Sequence, residues 1–76
     1  MTIDKIDELF LNGDLDLLVK SSIIPAHIYT WREIYHAYTN ELTSVQSKMQ
    51  AMENVAFNYN VSVELIYKIR RNFTKS

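Results

Sequence analysis

The chain has 76 residues, with no cysteine, one glycine, one proline, and 47% apolar and 12% aromatic residues. That length allows one domain burying about 60% of its unfolded surface, unaided by disulfides or thiolate zinc sites. The apolar content excludes a disordered chain, the scarcity of turn residues argues against β-hairpins, and no apolar run could span a membrane or serve as a signal peptide. The formal charge of −1 divides into −4 over residues 1–43 and +3 over residues 44–76, an asymmetry that points to a partner for the basic half.

Five helices are expected in chain order. Thr2 is placed to cap a first helix running through Leu11, with Ile3, Ile6 and Phe10 on one stripe and Gly13 just past its end. Asp14 offers an N-cap for a short helix from Leu15 to about Ser21. Ile24, Ile28, Trp31, Tyr35, Tyr38 and Leu42 then recur at steps of 4, 3, 4, 3 and 4, which predicts a helix over 25–42 with Pro25 in its first turn. This stripe reads as the hydrophobic spine of the domain. The same spacing also fits a coiled-coil seam, but it is too short for the three to four heptads that reading needs.

Thr43 with Gln46 forms a capping-box pattern, so a fourth helix is expected from Thr43 or Ser44, with Val45, Met49, Met52, Val55, Ala56 and Tyr59 at helical spacing. Asn58, Tyr59 and Asn60 interrupt it, and Ser62 can cap a last helix to about Phe73. Between Tyr59 and Ile69 the odd-numbered residues also alternate in a strand-like way, although Ile66 breaks the alternation and no partner strand is apparent. The expected fold is an all-α bundle of about five helices in one domain, 1–76. Its acidic N-terminal helices occupy 1–23 and a tri-helical core occupies 24–76.

Residues 52–71 resemble the DNA-binding helix-turn-helix of bacterial and phage regulators. Ala56 supplies the small residue where the two helices cross. Asn60 stands four positions later, where the family wants a left-handed residue, usually glycine; asparagine is the next most tolerant. Val55, Tyr59 and Val61 fill the apolar positions around the first helix's end, although Tyr59 replaces the usual Leu or Met and needs a partner for its hydroxyl. Ile66 and Ile69 fill the inner face of the second helix, and Ser62 opens it. Ser47 to Ala51 and Ile66 to Ile69 further resemble small phage or mobile-element proteins in which a Tyr/Trp helix precedes such segments.

A helical projection tests the last segment independently. Leu65, Ile66, Ile69 and Phe73 fall on one side, while Val63, Glu64, Tyr67, Lys68 and Arg71 fall on the other, with Arg70 and Asn72 on the flanks. The resemblance makes that second set the base-contacting face of a helix in the major groove. Arg71 and Lys68 suit guanine or phosphate, Tyr67 and Val63 a thymine methyl, and Glu64 a cytosine amino group. Ser62, Asn60, Arg70, Lys75 and Lys48 are the phosphate-contact candidates. The plainer alternative is a helical hairpin whose basic end is a solvated face.

Other groupings fail chemically. His27 and His36 lie half a turn out of phase on one expected helix and cannot share a metal. Glu33 and His36 copy half of a di-iron motif whose other carboxylates are missing. Gly13 is the lone glycine, so no phosphate loop exists, and Asp14 with Asp16 suits capping better than acid–base work. The expectation is a cytoplasmic, non-enzymatic protein with no cofactor, no metal and no membrane. It would bind double-stranded DNA as a transcriptional regulator or mobile-element accessory factor, with a homodimer or partner protein adding affinity. The alternative is a protein-interaction module using the acidic face and aromatic helix without DNA.

Overall fold

The computed structural model describes residues 2–74, and within them all regular structure is helical: α1 (Ile3–Asn12), α2 (Asp14–Lys20), α3 (Ile28–Glu41), α4 (Lys48–Tyr59) and α5 (Val63–Thr74). The strand reading of 59–69 is therefore set aside. The helices α3, α4 and α5 pack against one another, while α1 packs on α2 and on α3. The resulting body is elongated, 38 × 20 × 19 Å.

Each helix end has a local cause. Thr2 Oγ1 accepts from the Lys5 amide at 3.4 Å to start α1, and Gly13 at φ 81° closes it by donating to the Phe10 carbonyl. Only Ile6 of α1 is fully buried. Leu9, not Phe10, joins Ile3 at the core edge, and Phe10 turns outward. Asp14 is already helical; Gly13 holds the cap position of α2 without a side-chain bond. Asp14 and Asp16 therefore act through their charge in the first turn of α2 and cap nothing.

The expected helix over 25–42 is trimmed at both ends. Ser22 takes a positive φ of 61°, and the chain folds back through amide bonds from Ile23 and Ile24 to the Leu18 carbonyl. Pro25 then opens a separate turn, with Ile28 N–H donating to its carbonyl at 3.1 Å, before α3 begins. Proline fixes φ favourably in such a turn as well as in a helix. Likewise Thr43 and Gln46 form no capping box. Thr43 Oγ1 donates back to the Asn40 carbonyl at 2.6 Å, and Ser47 Oγ caps α4 by accepting from the Gln50 amide at 3.3 Å.

The core is drawn from every helix. Ile34, absent from the predicted stripe, is 0% exposed, as is Ala51 in α4, whereas Met49 is 55% exposed. Trp31, Tyr35 and Leu42 are half-buried. Tyr38 is almost fully buried, yet its hydroxyl has no hydrogen-bond partner among the described residues. A buried hydroxyl without a partner carries an uncompensated desolvation cost. Tyr38→Phe is accordingly expected to leave stability unchanged or raise it by about 1 kcal/mol in urea unfolding; a loss above that would mean the hydroxyl is satisfied.

Asn60 ends α4 in the left-handed region at φ 55°, ψ 46°, and Val61 N–H reaches back to the Ala56 carbonyl at 3.0 Å. This Schellman-like closure sets where α5 starts. Asn60→Val is expected to cost about 1–2 kcal/mol, because a β-branched residue is disfavoured there, while Asn60→Gly costs little. Chemical denaturation of the two variants checks this.

Candidate functional site

The exposed face of α5 is built from the turn outward. Ser62 Oγ accepts from the Leu65 amide at 3.1 Å, giving α5 a capped N-terminus. Ile66, Ile69 and Phe73 are buried on its inner side, leaving Glu64, Tyr67, Lys68 and Arg71 exposed on the outer one. Val63 departs from the expected grouping. It is half-buried and packs at the core edge, because the short turn presses the first turn of α5 against the bundle.

The remaining predicted positions divide as follows. Val55, Ala56, Ile66 and Ile69 are buried, and Tyr59 and Val61 are half-buried. Lys48, Asn60 and Ser62 are exposed, and Arg70 is half-buried. Lys75 lies outside the described residues. Burial first, then the charge of nearby Glu33 and hydrogen bonding to it, push the Tyr59 phenol above its usual range.

Sequence reasoning placed Trp31 in the core and gave it no role at this face. In the structure Lys68 Nζ stands 5.9 Å from the Trp31 ring centroid. Trp31 also stacks with His27 at 4.6 Å and meets the edge of Phe73 at 6.4 Å. The His27–Trp31 spacing of four residues was a legible signal of contact; the approach of Lys68 from another helix was not.

A second cluster joins α1 to α3. Asp7 Oδ1 accepts from Arg32 Nε at 2.7 Å and lies 2.9 Å from His36 Nε2. The Arg32 guanidinium also sits 4.0 Å over the Phe10 ring, which explains why Phe10 faces outward. Phe10, Tyr29, Arg32, Glu33 and His36 line an open pocket of about 480 Å³. Nearby, the Tyr29 hydroxyl donates to Asp16. His27 and His36 are thus committed to different neighbours, Trp31 and Asp7.

Among the described residues, the ion pairs are Lys5–Glu8, Arg32–Asp7 and His36–Asp7. None engages Lys48, Lys68, Arg70 or Arg71. Lys48, Lys68 and Arg71 are exposed and Arg70 is half-buried. No helix of the described residues is long and apolar enough to cross a membrane. No protein-family model, curated protein or solved structure matches the chain.

Burial raises the Asp7 pKa, but hydrogen bonds and charge from His36 and Arg32 outweigh it and hold the carboxyl below its ordinary 3.8. A depressed folded-state pKa gives stability that is present above the unfolded value and is lost as pH falls through the folded one. Asp7→Asn should therefore cost about 1–2 kcal/mol at neutral pH. The gap from wild type should narrow below about pH 4. Urea unfolding across pH 3–7 reads both effects.

Proposed function

We propose that this chain is a sequence-specific DNA-binding protein that inserts α5 into the major groove, as a transcriptional regulator or mobile-element accessory factor. The observation that carries this reading is the sidedness of α5. Its apolar face is buried, its Glu64–Tyr67–Lys68–Arg71 face is exposed, and its cations have no internal ion-pair partner among the described residues. A helix of that kind, carried on a short turn from a supporting helix, is the element that fits a groove about 12 Å wide. The α4–turn–α5 unit is read as a helix-turn-helix on the strength of Ala56, the left-handed Asn60 and the Ser62 cap.

In this reading Arg71 is the strongest base reader, since its planar fork matches guanine O6 and N7. Tyr67 supplies apolar contact to a thymine methyl, and Glu64 selects a cytosine amino group while disfavouring misplaced phosphates. Lys48, Asn60, Ser62 and Arg70 take phosphates, as would Lys75. A module this small reads few base pairs, so a second copy or a partner protein completes tight binding. The protein is read as non-catalytic and cytoplasmic.

A second reading has its own observation. Leu11, Leu17 and Ile23, within the acidic N-terminal region, are 80%, 63% and 69% exposed. A protein-interaction module without DNA would use such residues. Titration of a mixed-sequence duplex at increasing salt separates the two. DNA binding predicts an affinity that falls steeply with salt, and replacing Lys68 and Arg71 together by Ala should reduce the log–log slope by about 2. No binding at low salt, even to duplexes selected from a random pool, would overturn the DNA reading.

A further inference from the structure

The exposed face of α5 does not end at its own helix. Lys68 leans over the indole of Trp31, 5.9 Å from its centroid, and the other neighbour of that indole is His27, 4.6 Å away with the planes at 39°. Phe73 holds Trp31 in place from the core side, edge-on at 6.4 Å, and packs on Tyr35 in the same manner at 5.5 Å. Trp31 is half-buried, whereas His27 and Lys68 are exposed. A single aromatic side chain therefore contacts two exposed nitrogen-bearing side chains, one on α5 and one at the N-cap of α3. Glu64 lies one turn before Lys68 on the same exposed face of α5, while at this end of α3 Asp7 bonds Arg32 and Asp16 bonds the Tyr29 hydroxyl.

We infer that Lys68, Trp31 and His27 form a phosphate clamp, by which the nucleic-acid surface continues from α5 onto the start of α3. Lys68 and His27 each donate to a phosphate oxygen, and Trp31 is a positioning residue that orders both. This rests on the reading of α5 as a DNA-binding helix and sharpens it. A lysine drawn sideways over Trp31 is directed toward the flank of the groove, where the sugar–phosphate backbone runs. Lys68 is thereby assigned to affinity, and base selection falls to Glu64, Tyr67 and Arg71. Holding the lysine and imidazole in place before binding lowers the ordering cost of two contacts.

Trp31 is the only tryptophan, so its fluorescence reports on the clamp without any substitution. The test combines that emission with anisotropy titrations of labelled mixed-sequence duplex between about 50 and 200 mM salt. The proteins are wild type, His27→Glu, His27→Lys, Lys68→Ala and a distant charge control, Asn12→Glu. His27→Glu and Lys68→Ala should each weaken binding about tenfold, uniformly across duplex sequences, and lower the salt slope by about 1. His27→Lys should tighten binding, Asn12→Glu should leave it unchanged, and Trp31 emission should change on saturation. His27 is exposed, so circular dichroism should show all of these variants folded. Wild-type binding with a steep salt slope, unchanged Trp31 emission and His27 variants indistinguishable from Asn12→Glu would overturn the clamp alone. Absence of wild-type binding would overturn the DNA reading and the clamp together.

Discussion

A chain this short has too few residues to give each helix its own partner, and α3 meets that constraint by serving three neighbours at once. It contacts α1 on one side and α4 and α5 on others, and Ile34 at its middle is fully enclosed. Everything else is positioned from this helix. Arg32 and His36 hold α1 through Asp7, Glu33 reaches Tyr59 near the end of α4, Glu41 accepts from Asn54 within α4, and Trp31 and Tyr35 receive Phe73 of α5. The helix carrying the candidate DNA face is thus anchored through aromatic contacts. The acidic arm buries Ile6 and Leu15 in the core and adds polar contacts to α3.

That division explains the charge asymmetry in physical terms. Several carboxylates of the acidic half have internal work: Asp7 bonds Arg32 and His36, Asp16 bonds Tyr29, and Glu41 bonds Asn54. They fasten α1, α2 and α4 to α3. The positive charges on α4 and α5 have no such employment among the described residues. Acidic groups engaged inside the fold and basic groups on α4 and α5 without ion-pair partners among the described residues lie behind the near-neutral total of −1. A sum so close to zero conceals both roles.

Much of this architecture was legible in the sequence, and the failures have a common cause. The five helices, the Thr2 and Ser62 caps, the left-handed Asn60 and the inner face of α5 all follow from local patterns, and these held. Pro25, Thr43 and Asp14 were misassigned because each residue type serves a turn and a helix start equally well. Only the path of the neighbouring backbone, including the positive φ of Ser22, selects between them. Ile34 and Ala51 escaped a single-stripe reading because α3 and α4 are covered on more than one side, and a small residue such as alanine gives little apolar signal. Trp31 at the candidate site was invisible as a surface residue, since the approach of Lys68 depends on tertiary packing across 37 positions.

Val63 shows how the turn shapes the candidate face itself. Asn60 and Val61 close α4 within two residues, so α5 starts hard against the bundle and its first residue is shared between core and surface. What remains outward is Glu64, Tyr67, Lys68 and Arg71, a face shifted toward the C-terminal part of α5. Trp31 of α3 borders that part through Lys68, with His27, the N-cap of α3, on the Trp31 ring. The face left exposed on α5 is thus continuous with the indole of Trp31, which a second helix supplies.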